Sequence, residues 1–212
     1  MNLHSQAKST WGILIACAFS GLSSGEIVNS DVFSFSSGFG WRLLFGPGIV
    51  FGLLFSITSA YLWNKSHKIF RFIAFVFLFT IASTFIYFIA VQIAIRIMFL
   101  SNSDSNGFVA GGLAGLFGAG ALSRTAKILS QTRINFPDEI LTTILGTLAG
   151  SIFFVGFESS TERVNWSLQF VIWQVVVGWS LNRSIQKGIT LATNLNPGNN
   201  SVSAPGQSAS EL

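Results

Sequence analysis

The chain has 212 residues, of which 50% are hydrophobic and only 9% are charged. A water-soluble domain usually carries about 25% charged residues, so this composition excludes an ordinary soluble fold and predicts an integral membrane protein. The net charge of +4 does not indicate nucleic-acid binding, because the basic residues lie in short segments between apolar runs, where they report membrane topology.

Residues that bind metals or form disulfides are scarce. Cys17 is the single cysteine, which excludes an internal disulfide and a cysteine-based structural zinc site. His4 and His67 are the two histidines, and they are too far apart in sequence to form a cluster with metal-ligand spacing. We therefore expect neither a metal nor a cofactor.

The first apolar segment, residues 11–28, is the weakest in the chain, because Ser and Gly dilute its second half. One interpretation is a secretory signal with Lys8 as its basic start, and another is a lipoprotein cleavage box at residues 14–17, Leu-Ile-Ala-Cys. The apolar run before Cys17 is short for either of these, since a signal needs about 7–15 apolar residues. We expect an uncleaved first span.

Five further apolar segments predict five further helices. The segment 72–95 has about 24 uncharged residues, and at 1.5 Å per residue it is long enough to cross a hydrocarbon core of about 30 Å. Pro47 predicts a local kink in the second span. At the start of the fifth span, Pro137 suits a first helical turn, and Asp138 and Glu139 complement the helix dipole. The six expected spans are residues 11–28, 41–63, 72–95, 107–122, 138–157 and 165–181.

Small residues recur at four-residue steps in several of these segments. The stretch 107–122 reads GFVAGGLAGLFGAGAL. In lipid, such a row allows two helix backbones to approach closely. We therefore expect an all-α, six-span bundle with glycine-rich, tightly packed central helices, in which the second, fourth and fifth spans meet. The expected packing residues are Gly48, Gly52, Gly107, Gly111, Gly115, Gly118, Gly146 and Gly150.

The basic residues also predict the orientation. With six spans, one side of the membrane receives Lys8, Lys65, Lys68, Arg71, Arg124, Lys127, Arg133, Arg183 and Lys187, which are nine of the 12 basic residues. The positive-inside rule then places both termini in the cytoplasm, in a plasma (inner) membrane. Residues 1–190 form the expected membrane domain, with Arg124, Lys127 and Arg133 in a loop. Residues 191–212 form an expected disordered tail, because they have nothing to bury.

Few polar side chains fall inside the expected spans. Gln92 and Arg96 share one face of the third span, and Gln174 lies in the sixth. An arginine near the end of a span also suits snorkelling to lipid headgroups. No Asp or Glu lies in the middle of a span, and no hydrolase or phosphate-loop motif is present, so we do not expect an enzyme.

Two function classes remain open. The first is a small-solute permease or channel with Gln92, Arg96 and Gln174 along the solute path. The second is a non-transporting assembly factor or subunit of a membrane complex, in which the glycine rows bind partner helices or a second copy of the chain. In both classes the lipid bilayer is the main partner, and nucleic acid is not one.

Overall fold

The computed structural model describes the backbone of residues 3–32, 41–63, 69–100, 106–132, 135–158 and 166–195. Six helices account for these segments, which confirms the all-helical prediction. They are α1 (Leu3–Val32), α2 (Trp41–Trp63), α3 (Ile69–Leu100), α4 (Asn106–Ser130), α5 (Phe136–Glu158) and α6 (Trp166–Leu195). Side-chain environments are described for residues 10–28, 44–62, 69–97, 107–132, 135–152 and 167–190.

Three of these helices are long and apolar enough to cross a membrane, over Thr10–Val28, Leu44–Leu62 and Ile69–Ile97. This finding supports a membrane protein. Among the later helices, α4 contains many glycines and the second half of α6 carries Arg183 and Lys187. Pro47 lies inside α2, and the predicted kink does not interrupt that helix.

The helices extend past the predicted spans at several ends. Arg124 and Lys127 belong to α4 and not to a loop, while Arg133 lies outside the described residues. Gln131, with a positive φ of 53°, follows the last residue of α4, and its N–H donates to the carbonyl oxygen of Ile128. Hydropathy marks only the apolar part of a helix, and backbone hydrogen bonding continues beyond it.

The same correction applies to the end of α6. This helix runs through Arg183 and Lys187 to Leu195, so the tail predicted to begin at residue 191 is helical over its first five positions. Residues 196–212 lie outside the described residues. The charged residues Arg183 and Lys187 mark only the end of the apolar part of this helix.

The six helices pack as a closed ring. Each helix contacts the next one in sequence, and α6 contacts α1. Helix α6 also touches α2 and α4, so it lies toward the middle of the bundle. The buried apolar core inside the ring includes Phe55, Phe79 and Leu181. The rings of Phe55 and Phe79 are 5.3 Å apart between centroids, which joins α2 to α3.

Each helix also carries large apolar side chains on its outer face. On α5 the exposed residues Ile140, Ile144, Leu148 and Ile152 recur at every fourth position. In the interior, by contrast, polar side chains such as Gln174 are buried. A soluble protein has the opposite distribution and rarely exposes a continuous apolar band. This distribution suits contact with acyl chains around the bundle.

Candidate functional site

Two of the close helix contacts involve the predicted glycines. Gly115, Gly146 and Gly150 lie in the contact between α4 and α5, where a Cβ added to Gly150 would be 2.9 Å from the Cα of Gly115. Gly48 and Gly52 lie instead in the contact between α2 and α3. A Cβ added to Gly48 would be 2.8 Å from the Cα of Thr84, and a Cβ added to Gly52 would be 2.8 Å from the Cα of Thr80. The second span therefore does not meet the fourth and fifth at one tight centre as expected, because its glycine face is covered by its neighbour in sequence.

A third close contact, between α1 and α6, was missed in the sequence. Gly21 lies directly against the backbone at Val171, and Gly25 lies against the backbone at Ser167. The four-residue spacing of these glycines was the available signal. The signal is weak because Ser and Gly also dilute the apolar character of this region.

Two hydrogen bonds accompany that contact. The Nε2 of Gln174 donates to the Oγ of Ser24 over 2.9 Å, and the Oγ of Ser167 donates to Oε1 of Glu26 over 3.2 Å. Gln174 is only 1% exposed. Its Oε1 atom is buried and has no hydrogen-bond partner. One acceptor of this buried amide is therefore unused, which is uncommon for a buried polar atom.

Gln174 also lines a half-open cavity of about 120 Å³ between α2, α3, α4 and α6, to which α5 contributes Gly150. The wall is mostly apolar, and its aromatic part includes Phe51, Tyr87 and Trp173. The rings of Phe51 and Trp173 meet edge to face with centroids 6.1 Å apart. The cavity also contains five of the eight predicted packing glycines: Gly48, Gly111, Gly115, Gly118 and Gly150. Because glycine has no side chain, these residues leave room for the cavity as well as for close helix contacts.

The cavity lies toward one end of the bundle, and the packed core lies toward the other. On α6 the cavity residue Gln174 precedes the core residue Leu181. On α3 the order reverses, with the core residue Phe79 preceding the cavity residue Ala94. Phe51 of α2 belongs to both sets and marks the boundary between them. The packed core therefore forms the floor of the cavity.

The structure does not bring the three predicted path residues together. Of these, Gln174 lines the cavity, whereas Gln92 and Arg96 do not. Gln92 is half-buried, and Arg96 is exposed. Helix α3 presents Ala90 and Ala94 to the cavity. Each residue turns a helix by about 100°, so Gln92, two residues from each of them, lies on another face. Exposed Arg96 instead suits the snorkelling interpretation.

At the opposite end of the bundle, ion pairs connect three helices. Glu139 accepts from the Nε of Arg124 at 2.9 Å and lies 3.8 Å from the Nζ of Lys127, which joins α4 to α5. Asp138 accepts from the Nζ of Lys187 at 2.7 Å, which joins α5 to α6. Both carboxylates lie in the first turn of α5, as predicted. Their role extends beyond the helix dipole, because each also binds a neighbouring helix.

The part of the chain that the structure describes contains no group of three or more His, Cys, Asp or Glu side chains that could hold a metal ion. Cys17, the residue of the lipoprotein-box interpretation, is buried in the core. No protein-family model, curated protein or solved structure matches the chain.

Proposed function

We infer that this chain is a six-span membrane protein that carries a small solute across the bilayer and that the cavity is its solute-binding site. The observation that carries this proposal is a half-open cavity in one half of the bundle with a packed core as its floor in the other half. Transporters that work by alternating access bind their substrate at such a site and open it to one side at a time.

The proposed topology assigns a side of the membrane to each end. With both termini in the cytoplasm, the ion pairs of Asp138 and Glu139 lie on the cytoplasmic side, where the basic residues are most frequent. The start of α2 and the end of α3, which contribute cavity residues, then lie toward the outside. In this arrangement the cavity lies in the outward half of the bundle, and the packed core lies between it and the cytoplasm.

The glycine rows favour transport over the alternative of a non-transporting assembly factor. A partner helix would need a glycine face turned toward lipid. Gly48 and Gly52 are covered by α3, and Gly146 and Gly150 are covered by α4. These rows are already occupied by helices of the same chain.

Cysteine labelling tests whether the cavity admits water from outside. Ala90 and Ala114 line the cavity, while their neighbours Ile89 and Leu113 are 43% and 45% exposed on the outer faces of the same helices. Each is changed to cysteine, one at a time, in a Cys17→Ala background. Intact cells are then treated with a membrane-impermeant thiosulfonate.

We expect labelling of Ala90→Cys and Ala114→Cys and none of Ile89→Cys or Leu113→Cys, because thiolates form in water and not in hydrocarbon. Adjacent positions on one helix match each other in depth, so the comparison isolates the face of the helix. Silence of both cavity positions, with all four variants present in the membrane, would overturn the proposal of a solute path.

A further inference from the structure

We propose that the bundle binds the headgroup of an anionic phospholipid at the end opposite the cavity, where α4, α5 and α6 carry their ion pairs. This surface, called the basic end below, consists of Arg124, Lys127, Asp138, Glu139, Arg183 and Lys187. The proposal uses the membrane topology of the proposed function, which places the basic end at the cytoplasmic surface, but it does not use the solute path.

The basic end presents its cations outward and covers its carboxylates. Its four basic and two acidic residues leave a surplus of two positive charges. The side chains of Arg124, Lys127 and Lys187 are 76%, 42% and 46% exposed, respectively. Those of Glu139 and Asp138 are only 14% and 10% exposed. A ligand that approaches this surface therefore meets positive charge, which is complementary to an anion.

Two arginines of the basic end keep donors available for that anion. Arg124 donates to Glu139 through its Nε, and no described residue accepts from its two Nη groups. The guanidinium carbon of Arg183 lies 5.5 Å from the centroid of the Trp179 ring, and no described carboxylate pairs with it. A guanidinium group has five N–H donors in one plane, and this geometry suits the oxygens of a phosphate.

Apolar side chains at the same end favour a phospholipid over a soluble phosphate. Ile128, near the end of α4, is 73% exposed, and Phe136, the first residue of α5, is 70% exposed. On α6, Trp179 lies one turn before Arg183. A soluble anion offers these side chains no apolar contact, whereas the acyl chains below a lipid headgroup do. Tryptophan beside basic residues is typical of the membrane–water interface.

Native mass spectrometry of the full chain in detergent measures the binding. The probes are dioleoyl phosphatidylglycerol and dioleoyl phosphatidylcholine, which have the same acyl chains and differ in the net charge of the headgroup. Arg183→Gln removes a cation that holds no described ion pair, so the pairs between the helices remain. Arg96→Gln is the control, because it removes the same charge from an exposed arginine near the end of α3, at the other end of the bundle.

We expect each cation without a counter-charge to contribute about fivefold to the affinity for an anionic lipid. With a surplus of two, the unaltered chain should bind phosphatidylglycerol roughly 25-fold more tightly than phosphatidylcholine. In Arg183→Gln this preference should fall to about fivefold, while Arg96→Gln should keep the preference of the unaltered chain. Inorganic phosphate at the same concentration as the lipid should not displace phosphatidylglycerol.

Equal binding of the two lipids by the unaltered chain would overturn the proposal, and this comparison needs no variant to fold. An equal loss in Arg183→Gln and Arg96→Gln would also overturn it, because the lipid would then respond to the overall charge and not to this surface. Displacement by inorganic phosphate would assign the surface to a soluble anion and reject the lipid.

The outcomes are separable from those of the cysteine labelling. A preference for phosphatidylglycerol without labelling of the cavity positions would reject transport alone. Labelling without that preference would leave transport standing and reject the lipid site.

Discussion

The contact between Gly146 and Ala119 leaves no space for even one methyl group. A Cβ built on Gly146 would overlap the Cβ of Ala119. At Gly120, the residue after Ala119 on α4, the nearest atom to an added Cβ is the Oγ1 of Thr143 at 3.4 Å, which is an ordinary contact. The two positions therefore respond oppositely to the same substitution.

We expect Gly146→Ala to lower the free energy of unfolding by about 1–3 kcal/mol, because overpacking separates α4 from α5. Gly120→Ala should be neutral or stabilising by up to about 1 kcal/mol, since alanine has the higher helix propensity. Thermal unfolding of both variants in the same detergent measures the difference. Equal melting temperatures would show that the α4–α5 contact tolerates a wider separation than the structure has.

The ion pair between Asp138 and Lys187 makes a prediction about how α5 is held to α6. The Nζ–Oδ1 distance is 2.7 Å, and the two side chains are 10% and 46% exposed, respectively. Partial exposure screens the pair, so we expect a coupling free energy of up to about 1 kcal/mol in a double-mutant cycle of Asp138→Asn and Lys187→Met. The coupling should weaken in high salt.

A second cycle controls for effects of the substitutions themselves. Glu139 pairs with Arg124 and Lys127 but not with Lys187. The cycle of Glu139→Gln and Lys187→Met should therefore give a coupling close to zero. A coupling as large as that of Asp138 would mean that the charges act through the general field at this end of the bundle and that α5 and α6 are not joined by a specific pair.

The helices themselves were predictable, because long apolar runs identify them whatever their neighbours are. Their ends were less so, since charged residues such as Arg183 and Lys187 continue the helix beyond its apolar part. The rotation of each helix could not be predicted. Gln92 and Gln174 look equivalent in sequence, yet only Gln174 is turned toward the cavity. That difference depends on which face each neighbouring helix covers, and one sequence does not contain this information.

The proposed topology predicts opposite sides for two serines at a distance from each other in the chain. Ser103 follows the third expected span, and Ser208 lies in the predicted tail after the sixth. In a Cys17→Ala background, Ser103→Cys should react with an impermeant maleimide in intact cells, and Ser208→Cys should react only after the cells are permeabilised.

Three crossings separate the two positions in the proposed bundle. Labelling of both in intact cells would require an even number of crossings between them and would contradict six spans with both termini inside. Protection of Ser103→Cys with labelling of Ser208→Cys would keep six spans and reverse the orientation. Immunoblotting of each variant in the membrane fraction confirms that a silent position is not simply a missing protein.

The closed ring has a consequence for the order in which the chain can be assembled as it is made. Helices α2 to α6 can each dock on the helix synthesised just before them. Helix α1 also binds α6, which is synthesised last of the six. The partner of Ser24 in that contact, Gln174, comes 150 residues later. At about 5–20 residues per second, this is a delay of roughly 8–30 s. During that interval Ser24 and Glu26 lack their α6 partners, so the nascent first helix needs water, the insertion machinery or a membrane chaperone beside it until the last helix arrives.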